Sequence, residues 1–276
     1  MAQRGGTRLL LVVGGSGFLG GEVCRQAVAA GWRVMATCHA GGVRVPGVAI
    51  RRLDVTDRAA VRVLLTEVRP DAVVGTPYRV DDWAVTADGA AHVASAAAEV
   101  GARLVHLSSD ALHAGRPAPY ADDEPPTPVY PYGAAKAAAE TAVRAVDPGA
   151  LLVRTSLILG EGSKQLQRCR DALAGRATLF SDEIRCPLDV TDLAAAVLEL
   201  LPTDLAGPLN VAGPDQVSRA DVGRLLARRL GVDPAGLRTI TTAAAGLHRP
   251  IEVRLDSARA TGLLRTRLRG VAELFA

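Results

Sequence analysis

Short aliphatic and β-branched runs recur through the first 156 residues, each followed by a longer stretch whose apolar positions fall three and four apart. RLLLVVG (8–14), RVMATC (33–38), VAIRRLD (48–54), DAVVGT (71–76), RLVHLSS (103–109) and ALLVRTS (150–156) predict strands. Their almost unbroken apolar character predicts burial on both faces, as in a parallel sheet covered by helices. Residues 18–30, 57–68, 86–100 and 133–146 predict the intervening helices. Such alternation implies right-handed crossovers and a doubly wound α/β sheet.

After about residue 157 the rhythm changes. Helices are predicted at 163–174, 191–201 and 219–230, with a short strand near 184–188 and another candidate in LNVAGP (209–214). Pro- and Gly-containing turns separate them. The expected organisation is a dinucleotide-type domain over 1–157 and a smaller mixed lobe over 158–276, partly interleaved with it. The lobe is expected at the carboxyl ends of the main strands, where open α/β sheets take their ligands.

Composition narrows the classes of function. Of 276 residues, 49% are hydrophobic and 22% charged, with a net charge of +3 from interspersed acids and bases. That balance gives no reason to expect nucleic acid or a membrane surface as partner. No apolar run reaches the ~18–20 residues that would cross a bilayer. MAQRGGTRLLLVVGG lacks an A-x-A site and ends its apolar run in a glycine turn, so it reads as a first strand and not a signal peptide. Cys24, Cys38, Cys169 and Cys186 are widely spaced and predict reduced, packed thiols in a cytoplasmic protein. His92, His106, His113 and His248 have no metal-ligand spacing, and no metal is expected.

Two motifs carry chemistry. Gly14, Gly17 and Gly20 form a G-x-x-G-x-x-G loop, with Ser16, Phe18 and Leu19 between them, after the first strand and before a helix. Glycines there allow a tight turn and close approach of backbone N–H groups to a pyrophosphate, as in a Rossmann-type dinucleotide site. At the end of the second strand an acidic residue would bind the adenosine ribose hydroxyls. This chain has Thr37, Cys38 and His39 there, with Arg44 shortly after. Without a carboxylate to repel a 2′-phosphate, NADP(H) is favoured and NAD(H) is the alternative, with His39 and Arg44 as phosphate contacts. Asp54, ending the third strand, is placed for the adenine amino group or for a turn.

The second motif lies in YPYGAAKAAAE (130–140). Of the 32 basic residues only two are lysines, Lys136 and Lys164. With four tyrosines in the chain, a Tyr-x-x-x-Lys pair would arise by chance only about 0.03 times. On a helix, Tyr132 and Lys136 share a face one turn apart. An ammonium there stabilises tyrosinate and suits the phenol to proton transfer, and it can also reach ribose hydroxyls as a compact point charge. Carbonyl reduction also needs a hydroxyl that polarises the substrate oxygen. Ser109, at the end of the fifth strand, is the choice and Ser108 the reserve.

This order of glycine loop, strand-five serine and Y-x-x-x-K resembles the extended short-chain dehydrogenase/reductases, and within them the dTDP-4-dehydrorhamnose reductase family. LVHLSSDALHAG, EPPTPVYPYGAAKAAAE, VRTSLILGEG, IRCPLDVTDLA, LNVAGPDQVSRADVGRLL and HRPIEVRLDSARA are similar to that family's blocks over nearly the whole chain. The resemblance implies hydride transfer to a ketone, with Tyr132 as acid, Lys136 on the nicotinamide ribose and Ser109 beside the substrate oxygen. It implies cofactor contacts from the glycine loop, Asp54, Val55, Gly75, Thr76 and Pro77. It implies a small-molecule substrate, a sugar nucleotide, contacted by Ser109, Asp110, Tyr132, Arg185 and Arg249; a homodimer stays open. Departures bear on the substrate: Gly75-Thr76-Pro77 stands for an Asn-Ala-Ala-like segment, Asp88 for Asn, and Ala111 for the Tyr that often follows Ser/Thr-Asp. Ala111 in place of Glu also disfavours a 4,6-dehydratase. A 4-epimerase and a cofactor-binding regulatory subunit, like the β subunit of methionine adenosyltransferase, are the alternatives.

Overall fold

The computed structural model describes residues 7–42 and 45–276. Strands β1 (Leu9–Val13), β2 (Arg33–Cys38), β3 (Val48–Arg52), β4 (Ala72–Gly75), β5 (Arg103–Leu107) and β6 (Leu151–Arg154) form where the apolar runs predict them. Helices α1 (Phe18–Ala29), α2 (Arg58–Val68), α3 (Gly89–Val100) and α4 (Pro131–Val146) alternate with them. The sheet order is β11-β6-β5-β4-β1-β2-β3, with β11 at Gly207–Asn210. β1 pairs in parallel with both β2 and β4, and β4 with β5. The chain runs outward from β1 to β3, then crosses back to β4 and continues the other way, so the order reverses between β1 and β4, where open α/β sheets take their ligands.

The remaining elements are β7 (Ile158–Leu159), α5 (Lys164–Leu173), β8 (Leu179–Phe180), β9 (Ile184–Arg185), β10 (Leu188–Asp189), α6 (Val190–Leu200), β12 (Val217–Ser218), α7 (Arg219–Leu230) and β13 (Thr239–Ile240), with short helices α8 (Ala258–Leu263) and α9 (Val271–Leu274). The chain divides into two compact, discontinuous units. One holds residues 1–107, 138–152 and 197–207; the other holds 108–137, 153–196 and 208–276.

In the first unit, β1, fully buried, and β4 carry Leu11, Val13 and Val73 into a core completed by Val61, Leu65, Val93, Ala97, Ala139 and Val143. In α4, Ala135, Lys136, Ala139, Glu140 and Val143 are buried, a three-and-four spacing that marks its inward stripe. In the second unit, Leu159, Leu166, Cys169, Leu179, Val222 and Leu226 form a core between α5 and α7. The Ser218 capping box starts α7, and Gly231 in the left-handed region ends it.

Three boundaries differ from the sequence reading. β3 stops at Arg52 and not at residue 54, because the Asp54 carboxylate folds back on the Thr56 N–H and hydroxyl at 2.9 and 2.8 Å. The third helix begins as a π turn over Ala84–Asp88, two residues early. Asp82 caps the Val85 N–H there, and the buried Thr86 hydroxyl ties the Arg79 backbone from both sides. The strand expected in LNVAGP (209–214) instead covers Gly207–Asn210, as β11, a seventh strand of the main sheet where the sequence reading has six.

Among the described residues no helix is long and apolar enough to cross a membrane, and no cluster of His, Cys, Asp and Glu could hold a metal. All four cysteines are free and buried. Burial pushes the Cys24, Cys169 and Cys186 thiols up to about 11, which keeps them protonated and unreactive.

Candidate active site

The glycine turn of the first unit is held from two sides. Gly14 lies at φ +84°, where a side chain would be strained and would also strike Thr76 Oγ1 and Pro77. The Thr76 hydroxyl donates to the Val13 carbonyl at 2.8 Å and sits 3.2 Å from that of Gly14. From the other side, Thr37 Oγ1 accepts the Gly14 N–H at 3.1 Å, and the Thr37 carbonyl accepts that of Gly15. Gly20 completes the turn, since its Cβ would meet the Gly14 carbonyl oxygen at 2.3 Å. The start of α1 has no side-chain cap at Gly17 and no acidic residue in its first turn. Its N–H groups and positive dipole end are therefore available to an anion, and the cradle fits a pyrophosphate. Ser16 and Phe18 are exposed on this turn, and Leu19 is buried beneath it.

The predicted adenosine contacts separate by environment. His39 and Asp54 are exposed and face one another at 3.7 Å. The Thr56 backbone and hydroxyl, with His39, hold the Asp54 carboxyl below its ordinary pKa. Val55 is buried, its carbonyl bonded to His92 Nδ1 at 2.9 Å. Gly75 is buried under Thr76 and Pro77, with His106 Nδ1 3.2 Å from the position its Cβ would take. Arg44 lies outside the described residues.

Ser109, Tyr132 and Lys136 fall together in the second unit. Ser109 is half-buried in extended backbone at the end of β5; its hydroxyl accepts the Ala111 N–H at 3.1 Å and donates to Asp110 Oδ1 at 3.3 Å. Ser108 is buried, only 4% exposed. Tyr132 and Lys136 stand one turn apart at the start of α4, the phenol half-buried and the lysine 2% exposed. A lysine sealed to that degree is held by partners, since charges go inside only when paired. Gly133 permits this arrangement: its Cβ would lie 2.2 Å from the Ala111 carbonyl oxygen. The first turn of α4 therefore lies against the backbone two residues beyond Ser109.

Behind the serine is a network that sequence reasoning reached only in part. Asp110 Oδ2 accepts from Ser156 at 2.7 Å and lies 3.6 Å from Arg185 Nε, with both members of that ion pair buried. The Ser156 hydroxyl in turn accepts the Cys186 N–H. Arg185 donates to the carbonyls of Ile184, Ile251 and Pro250, so it acts as a strut beneath the 249–252 segment. Arg249, on that segment, has 41% of its side chain exposed and lies 3.5 Å from the buried Glu183 carboxylate and over the Phe180 ring. Glu183 also pairs with Arg219 at 2.5 Å. Ser156, Glu183 and Arg219 gave no motif signal, because their function depends on contacts 30 or more residues away in sequence.

Comparison with known proteins places the chain in a family. Residues 8–273 match the family model of the RmlD substrate binding domain. Over 259 residues the chain is 31% identical to dTDP-4-dehydrorhamnose reductase of Mycobacterium tuberculosis, covering 87% of this chain and 81% of that one. It is 26% identical to methionine adenosyltransferase 2 subunit beta of Rattus norvegicus, covering 92% and 81%. The crystal structure of dTDP-4-dehydrorhamnose reductase from Bacillus anthracis in complex with NADP superimposes with a TM-score of 0.83 at 23% identity, covering 99% and 98%, which establishes the fold. With a parallel sheet, a glycine turn and a family match running from β1 to α9, the chain belongs to the RmlD substrate-binding-domain family, the family of the dTDP-4-dehydrorhamnose reductases.

Proposed function

We propose that the protein is an NADPH-dependent ketoreductase that reduces a keto group of a nucleotide-linked sugar of the 4-keto-hexose type. The observation that carries this reading is the Ser109–Tyr132–Lys136 set, complete within one unit and built around the Gly133–Ala111 close approach. The nicotinamide supplies a hydride when bound. Tyr132 gives its proton to the oxygen of the reduced carbonyl, Ser109 donates a hydrogen bond to that oxygen, and Lys136 sets the phenol's acidity and contacts ribose hydroxyls. The glycine turn with the α1 N-terminus holds the pyrophosphate. Asp54, Val55, Gly75, Thr76 and Pro77 line the rest of the nucleotide. The lack of a carboxylate at the end of β2 supports NADPH over NADH, with His39 as a 2′-phosphate contact.

Of the two arginines expected at the substrate, Arg249 is the exposed one. Arg185, with its guanidinium committed to three carbonyls and Asp110, supports the site from beneath. Four free, buried cysteines without a disulfide support a reducing cytoplasmic setting.

Likeness to the methionine adenosyltransferase β subunit favours a second reading, a regulatory subunit that binds the cofactor without turnover. Incubation with NADPH and dTDP-4-keto-6-deoxyhexose separates the two. Substrate-dependent loss of absorbance at 340 nm supports the reductase. Saturable NADPH binding with no consumption, across nucleotide-linked and free ketones, overturns it.

A further inference from the structure

Tyr130 stands two residues before the proposed proton donor, and none of the roles above uses it. Its ring centroid lies 6.1 Å from that of Tyr132, the planes tilted by 59°. It is half-buried, neither sealed in the core nor projecting freely. Its Cε1 lies 3.2 Å from the point where a Gly133 Cβ would stand, the same point that crowds the Ala111 carbonyl oxygen. The ring thus packs at the junction of α4 with residue 111, where the side chain is only a methyl. The charges of Asp110, Glu183, Arg185 and Arg249 all act on its hydroxyl. These include both arginines of the expected substrate region and the carboxylate that accepts from Ser109.

We propose that Tyr130 is a substrate-contacting, specificity-determining residue whose hydroxyl binds a ring hydroxyl of the sugar next to the ketone. This rests on the ketoreductase reading of the same site. The chemistry of the position fits. Burial first, then Asp110, push the Tyr130 pKa up to about 12, against the pull of the two arginines. The group therefore stays a phenol across the working range, able both to donate and to accept. A sugar hydroxyl needs both capacities, whereas a phosphate or carboxylate needs only donors, which Arg249 already offers. With only a methyl at residue 111, Tyr130 supplies an aromatic hydroxyl from the helix side. Two phenols at one site then divide the work: Tyr132 exchanges its proton, and Tyr130 keeps its own and holds the ring in register.

The test is steady-state kinetics of Tyr130→Phe against wild type with dTDP-4-keto-6-deoxyhexose as the varied substrate. Removing one neutral hydrogen bond should raise KM about tenfold, leaving kcat, its pH profile and the NADPH Kd within about twofold. With an analogue lacking the ring hydroxyl beside the ketone, the two proteins should have equal KM. Tyr130→Leu, which also removes the ring, should raise KM further. If wild type turns over the substrate and Tyr130→Phe matches its KM, the inference fails while the reductase reading stands. It also fails if Tyr130→Phe loses kcat with KM unchanged, or if only Tyr130→Leu is impaired. A wild-type protein that turns over no nucleotide-linked ketose overturns both.

Discussion

Gly133→Ala places the smallest possible side chain at the tightest point of the proposed catalytic centre. The new Cβ would stand 2.2 Å from the Ala111 carbonyl oxygen, where ordinary contact begins at 3.4 Å. The obstacle is backbone and not the flexible end of a side chain, so the first turn of α4 and the segment after Ser109 must separate by about 1 Å, a misplacement that typically costs on the order of 10²-fold in rate. Overpacking of this kind costs about 1–3 kcal/mol of stability, so the melting temperature must be measured beside the kinetics. The glycine turn is untouched, so NADPH affinity by fluorescence titration should fall only by the loss of the Lys136 ribose contact, about tenfold at most. The expected result is a folded protein that still binds NADPH and reduces the ketone about a hundredfold more slowly. A Gly133→Ala protein with kcat within twofold of wild type would refute the view that this close approach assembles the site.

Three other outcomes follow from the geometry. Gly20→Ala should abolish measurable NADPH binding because its Cβ collides with the Gly14 carbonyl at 2.3 Å, whereas Gly21→Ala, whose nearest neighbour is 3.6 Å away, should bind as wild type; equal affinities would contradict the cradle. Lys136→Arg should lose kcat by on the order of 10²-fold although charge is kept, since the planar fork cannot replace a buried point charge; near-normal kinetics would remove the reason given for this rare lysine. His113 is buried against Tyr120, and burial, with Arg154 and Arg116, pushes its pKa down to about 3 from 6.5. Below pH 6.5 the unfolded chain takes up a proton that the folded chain refuses, so stability falls as pH drops toward 3, by about 1.4 kcal/mol per unit. His113→Phe should flatten that acid limb of the melting curve, and an unchanged slope would count against a neutral buried imidazole.

Much of the fold was legible because a buried parallel sheet writes its strands as plain apolar runs; β1, β2 and β4 follow those runs to within a residue or so. Boundaries drifted where side chains bond to their own backbone, as at Asp54 with Thr56, or where a loop is tied by a buried hydroxyl, as at Thr86. The two-residue strands β7, β8, β12 and β13 left no periodic signal, because pairing partners far away in sequence define them. Tyr132 and Lys136 were readable because spacing on one helix is a local property. The strut made by Arg185 was not: the sequence suggests a substrate contact, and only the carbonyls of Pro250 and Ile251 reveal where its donors go.

The most direct test of the central claim is kcat for Tyr132→Phe with NADPH and dTDP-4-keto-6-deoxyhexose. Loss of proton donation predicts a fall of about 10²–10⁴-fold with the NADPH Kd nearly unchanged. A variant that keeps most of the wild-type rate would show that the proton reaches the substrate oxygen from some other group.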